Sequence, residues 1–295
     1  MKISIAPIPY LWPRQRVEDF YAALLGAPVD CVYVGETVCS KRRELSSGDW
    51  LALARELSRF IPEVVVSTLA LIEAGSELAV LKRLAGNGEF MIEANDLATI
   101  QLAIEMKLPF VAGPTVNIYN GRTLALLAKR GMRRWVPAVE LSGMEVRAIL
   151  DEAVALLDGG SVETEVFAYG RLPLAHSARC FTARHHQRSK DACGFVCIEH
   201  EQGLRVSTRE GEEFLRINGI QVQSDAIHCV HDIAHLQQHG ADRVRLAPAG
   251  DDFFEAVQAF VEWCSGRPAS FDTSATVNGY WFGEPGMSVS GTPGA

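Results

Sequence analysis

The chain has 295 residues, enough for one large domain or two small ones, and 48% of them are hydrophobic, enough for a substantial core. Its formal net charge of −8 argues against a surface that holds nucleic acid by neutralising phosphates, so no nucleic-acid partner is expected. The start, MKISIAPIPYLWPR, lacks the layout of a secretory signal, and no run of about 18 apolar residues suggests a membrane span; a cytoplasmic protein with no transmembrane segment is expected.

In chain order, short β-branched runs alternate with longer stretches of helical spacing. Strands are predicted at 2–7, 30–36, 63–69, 90–95, 109–114, 134–141, 164–170 and 243–248. Helices are predicted at 15–25, 48–60, 74–86, 97–106, 121–131, 144–157, 226–239 and 251–264. Asn95-Asp96 precedes one helix as a cap, and Ser142 with Glu145 reads as a capping box before another. Eight near-continuous apolar strands alternating with eight helices is the count of a (β/α)8 TIM-like barrel, with an open doubly wound sheet as the alternative. One interval breaks the rhythm. Some seventy residues separate the seventh and eighth strands, and they include a hairpin pattern turning at Asn218-Gly219. The expected organisation is a single barrel domain over 1–267, with an insertion at about 171–224, and an irregular tail over 268–295.

That insertion holds CFTARHHQRSKDACGFVC, with Cys180, Cys193 and Cys197. Seven cysteines, an odd number, fit thiol or metal chemistry better than a disulfide framework in such a chain. Cys31, Cys229 and Cys264 sit in apolar strand or helical contexts and read as packed thiols. The insertion's three cysteines instead stand in a charged segment whose Arg179, Arg184, Arg188 and Lys190 would favour thiolates. C-x12-C-x3-C suits three ligands of a zinc or iron–sulfur site. If these lie at the C-terminal face of a barrel, the fourth ligand should come from another loop of that face. Cys39, just past the second strand, qualifies by position; His176, His185, His186 or His200 could complete a mixed zinc site instead.

Other constellations are weaker. HCVHDIAHLQQH spaces His231, His235 and His239 along one expected helical face, yet the aspartate is a methylene shorter than the glutamate of a zinc-protease motif. No nucleophile elbow, phosphate loop or dinucleotide fingerprint occurs. Glu36, Ser67, Glu93, Asn95, Asn117, Asn120, Glu140, Tyr169 and Arg245 fall at or just beyond strand C-termini, where a barrel would gather them around a substrate pocket. Arg42 and Arg43 could hold an anionic substrate there.

YVGETVCSKRRELSSGDWLALARELS, VVVSTLALIEAGSEL, NGEFMIEANDLA, LPFVAGPTVNIYN and VFAYGRLPLAHSARCFTAR closely resemble the collagenase-like peptidase family that carries an iron–sulfur cluster. The resemblance runs from about residue 2 to Trp281 and includes Glu165-Val-Phe-Ala-Tyr-Gly170 with Cys180 downstream. It implies a [4Fe–4S] cluster held by Cys39, Cys180, Cys193 and Cys197. It also implies action as a heterodimer with a UbiU-like protein in oxygen-independent hydroxylation of the aromatic ring during ubiquinone biosynthesis. Prephenate would be the oxygen donor, and a lipid-carrier protein would deliver the quinone precursor. RNA-base hydroxylation, as in related members, and a binding subunit with a structural four-cysteine zinc site are the alternatives. The peptidase label fits a sequence without a protease constellation poorly.

Overall fold

The computed structural model describes residues 1–290; the last five residues of the expected tail lie outside the described residues. The elements run β1 (Lys2–Ile5), α1 (Arg14–Ala23), β2 (Cys31–Val34), α2 (Ser47–Leu57), β3 (Glu63–Ser67), α3 (Gly75–Ala85), β4 (Met91–Ala94), α4 (Leu97–Glu105), β5 (Phe110–Ala112), α5 (Gly121–Lys129), β6 (Met132–Trp135), α6 (Gly143–Leu156) and β7 (Glu163–Gly170). Then follow β8 (Pro173–His176), α7 (Phe181–His185), β9 (Leu204–Ser207), β10 (Glu213–Asn218), β11 (Gln221–Ser224), β12 (Ile227–Cys229), α8 (Ile233–Gln238), β13 (Arg243–Leu246), α9 (Phe253–Cys264) and β14 (Thr276–Val277).

Strands β1 to β7 pair in sequence order, all parallel, and β13 pairs with both β1 and β7. Eight strands therefore close on themselves, and closure leaves no edge along the barrel wall. This is the expected TIM-like barrel. Outward-facing residues such as Ile5, Val32, Val66 and Val166 join the main core against the helices. Several helices are started by residue types that satisfy free amides. Ser46 with Asp49 and Ser142 with Glu145 form capping boxes, and Asp96 accepts the Ala98 amide at 2.7 Å.

The lumen is filled differently. Cys31, Tyr33, Val65, Val111 and Val136 make a small inner cluster. Around it runs a buried charge network. Arg134 reaches Glu63 at 2.7 Å, Glu163 at 2.6 Å and the Tyr33 hydroxyl at 2.8 Å. Arg245 reaches Glu165 and Glu93, each at 2.6 Å, and its guanidinium lies 4.2 Å above the Tyr33 ring. Such charges stay inside only because each is paired.

The cysteine-bearing insertion leaves the C-terminal end of β7. Its strands form a separate four-stranded sheet in the order β8-β11-β10-β9. The hairpin expected at Asn218-Gly219 turns one residue later. Asn218 still pairs with Gln221, and Gly219, at φ +67°, takes the first central position, where a II′-type turn needs glycine. The helix expected over 226–239 is also shorter. Residues Ile227–Cys229 form β12, antiparallel to β7, and only Ile233–Gln238 is helical. In the tail, β14 pairs with β12, and the buried Trp281 donates to His235 Nδ1 at 2.9 Å.

Candidate functional site

Two segments far apart in sequence meet at the barrel's C-terminal face. Cys39 lies in the loop after β2, shaped by Glu36, whose Oε1 accepts the Val38 and Cys39 amides at 2.8 and 3.0 Å. Cys180 caps α7, its Sγ accepting the Ala183 amide at 3.4 Å. Between Cys193 and Cys197 the chain bends through two left-handed residues, Gly194 (φ +61°) and Phe195 (φ +56°). The four cysteines line one hollow, together with Lys41, Arg42 and Lys190. All seven cysteines are free thiols, so none of the chain's sulfurs forms a disulfide loop.

Basic side chains fasten the two segments to each other. Arg42, nearly buried, donates to the Pro9 carbonyl and to Asn218 Oδ1, both at 2.6 Å. Its Nε is buried without a partner. Lys41 reaches Asp191 at 2.5 Å and the Lys190 carbonyl at 3.1 Å, while Lys190 pairs with Glu73. Thr182 accepts the Gly219 amide at 3.0 Å, which holds α7 against the hairpin. Burial pushes the Cys39 and Cys197 thiols up, and Arg42 pulls both part of the way back. A metal that replaces those protons would remove the burial penalty by supplying its own charge.

A second hollow opens at the mouth of the barrel. Glu93, Asn95 and Arg245 line it, as do Arg171, His176, Gln221 and Gln223. Glu93 is held by Arg245, by the Ser67 hydroxyl at 2.6 Å and by Asn95 Nδ2 at 3.2 Å. Burial lowers His176 to about 4, so its ring is neutral at physiological pH; its Nε2 lies 3.1 Å from Gln221 Nε2. The two hollows draw on the same two segments. The loop after β2 gives Thr37 to one and Cys39 to the other, and the β10–β11 hairpin gives Gln221 to one and Gly219 to the other.

The family model described as Peptidase family U32 matches residues 15–250, most of the chain. This chain belongs to peptidase family U32. Among solved structures the U32 chain is similar to the U32 peptidase Mk0906, at 12% identity over 85% of this chain and 94% of that one, with a TM-score of 0.46. Thiamine phosphate pyrophosphorylase from Pyrococcus furiosus is similar at 11% identity over 90% and 96%, with a TM-score of 0.46. Dihydropteroate synthase from Stenotrophomonas maltophilia is similar at 13% over 90% and 93%, with a TM-score of 0.44. Among the described residues of the U32 chain, no helix is long and apolar enough to cross a membrane.

The remaining residues expected at the pocket fall elsewhere in the U32 chain. Glu36 and Arg42 line a small hollow beside Tyr10 and Trp50. Arg43 and Asn117 are exposed, and Glu140 is exposed and takes a hydrogen bond from Tyr119. Asn120 caps α5. Tyr169 faces the helices, packed on Phe253 and Phe260. The cause is a register shift in β7, which carries Tyr169 off the inward face that Phe167 occupies. His186 and His200 lie against each other at 2.8 Å, outside the lining of the cysteine hollow. His231 precedes α8 and stacks on Trp263, apart from the His235–His239 pair. Arg171 and Gln223 carry no motif; their sequence signal was only their place beside β7 and in the hairpin.

Proposed function

We propose that this U32 chain is a UbiV-like [4Fe–4S] protein, an oxidoreductase subunit of an O2-independent hydroxylase. Cys39, Cys180, Cys193 and Cys197 hold the cluster. The observation that carries this reading is their meeting in one hollow from positions about 140 residues apart. Among the described residues no three His, Cys, Asp or Glu side chains are grouped as the ligands of a single ion. A zinc ion would draw its thiolates to about 2.3 Å from one centre. Four cysteines around an open hollow suit a larger body.

When bound, such a cluster supplies one-electron transfer. The chain's own residues then set its surroundings. Lys41, Arg42 and Lys190 offset the negative charge of four thiolates, and the free Arg42 Nε offers a donor to sulfur, the kind of contact that tunes potential. Ala183, Phe195 and Val196 keep that side of the hollow apolar. Four protein ligands leave no open coordination position, so substrate is bound elsewhere, in this chain or in its partner.

On this reading the chain works as a heterodimer with a UbiU-like protein in anaerobic ubiquinone biosynthesis, with prephenate as the oxygen donor and a lipid-carrier protein presenting the hydrophobic precursor. The test is the quinone profile of a deletion strain grown without oxygen. Wild-type chain should restore ubiquinone, and chain carrying Cys39→Ala should leave under-hydroxylated precursors. Normal ubiquinone in the anaerobic deletion strain, or full rescue by Cys39→Ala, would overturn the proposal.

A further inference from the structure

The two segments that carry the four cysteines, 39–44 and 179–199, contain seven Lys or Arg and three acidic residues, in a chain whose net charge is −8. Three of those cations are already committed. Lys41, Arg42 and Lys190 line the cysteine hollow and pair with Asp191, Glu36 and Glu73 respectively. Arg43, Arg179, Arg184 and Arg188 differ. All four are exposed, none lines the hollow, and among the described residues none has a carboxylate within ion-pair distance.

Their placement follows the cysteines. Arg43 adjoins Arg42, Arg179 adjoins Cys180, and Arg184 lies one turn along α7 from that cysteine. Arg188 donates to the Cys193 carbonyl at 3.1 Å, at the bend before Cys197. Like charges gathered in one region repel one another, a cost to the fold, whereas they attract and orient an acidic partner. At the same bend Phe195 lines the hollow with 47% of its surface exposed. It is held at φ +56°, where bulky residues are rarely found, so the backbone leaves a large aromatic side chain half in solvent beside Cys193 and Cys197. Arginines around an exposed aromatic are the composition of a docking surface.

We propose that this patch docks a small one-electron carrier protein with an acidic face, which delivers electrons at the cysteine hollow. The inference rests on the cluster reading above. Electrons for a fully ligated cluster come from a partner, and the patch flanks the half-buried Cys180, Cys193 and Cys197. In the transfer the carrier loses one electron and the cluster gains it; no bond forms or breaks and no proton moves. Nucleic acid also answers arginines and aromatics. A strand that spans the patch, however, continues over a molecule that is otherwise strongly acidic, whereas a small carrier touches the patch alone.

The test uses the full chain purified without oxygen, alone and as the heterodimer. The probes are a plant-type ferredoxin, which is acidic, cytochrome c, which is basic, and a short single-stranded RNA. Iron content and reduction by dithionite come first. A chain without a cluster overturns both this inference and the reading beneath it; a chain that dithionite reduces lets the docking be judged by itself. Calorimetry should then show ferredoxin binding in the micromolar range and no binding of cytochrome c. The ferredoxin affinity should fall about tenfold or more between about 20 mM and about 300 mM salt. Photoreduced ferredoxin should bleach the cluster's visible absorption, faster at the lower salt. Arg43→Glu with Arg184→Glu should weaken ferredoxin binding about tenfold or more at unchanged iron content, and Arg43→Lys with Arg184→Lys should keep it. Absent or salt-independent ferredoxin binding, equal binding of cytochrome c, tighter binding of the RNA, or an unchanged affinity after charge reversal would overturn the proposal. So would binding by the chain alone that disappears in the heterodimer, since the patch would then belong to the subunit interface.

Discussion

Arg42 joins three separate stretches of chain: its own loop, the segment before α1 through Pro9, and the hairpin through Asn218. Removing it leaves Asn218 and the Pro9 carbonyl short of a charged donor in a dry place. Arg42→Ala should therefore cost about 3 kcal/mol of stability, read by denaturant unfolding under anoxic conditions. Gly194 is a second sensitive residue. It is held at φ +61°, and an added Cβ would come within 2.4 Å of Arg188 Nη1, which donates to the Cys193 carbonyl at 3.1 Å. Gly194→Ala is expected to cost about 1–3 kcal/mol and to lower iron content although no ligand is touched. Unchanged iron per chain in that variant would show that the bend does not position Cys193 and Cys197.

Elements that start with a cap should respond independently of the site. Asp96→Ala removes the acceptor of the Ala98 amide at the start of α4, and about 1 kcal/mol should be lost with cluster content unchanged. These caps and the barrel strands were legible from sequence because their causes are local: side-chain oxygens next to apolar periodicity, and β-branched runs buried on both faces. Elements whose form depends on distant pairing were less so. Ile227–Cys229 carries helical spacing but becomes β12 because the backbone of β7, at Tyr169 and Gly170, is available to pair with it. Tyr169 shows the same limit, since a shift of register within β7 is not written in its alternation. The meeting of Cys39 with the insertion could be inferred from sequence only through the barrel, which returns the end of every strand to one face.

At the scale of the whole molecule, the lumen was the least legible part. The charges within RVRL, MRRW and ETEV stand in the sequence, but their pairing exists only once eight strands close. Arg134, for example, is shared by Glu63 and Glu163 from two strands not adjacent to each other. Buried histidines couple the whole fold to pH. Burial lowers both His176 and His228 to about 4, from 6.5 when unfolded. Above 6.5 both are neutral in either state, and their contribution to stability is fully present. As pH falls toward 4 only the unfolded chain takes up protons, so stability should fall by about 1.4 kcal/mol per pH unit for each histidine. Urea unfolding at pH 7 and pH 5 should show that loss, and His228→Gln should reduce the slope; equal slopes would mean that His228 titrates normally.

The central claim concerns the four cysteines, and its most direct measurement is the iron and acid-labile sulfide content of chain purified strictly without oxygen. The wild-type protein should be brown, with about four iron and four sulfide per chain, and paired Cys39→Ser and Cys193→Ser changes should abolish both. Colourless wild-type protein from such a preparation, or about one zinc and no iron, would contradict it.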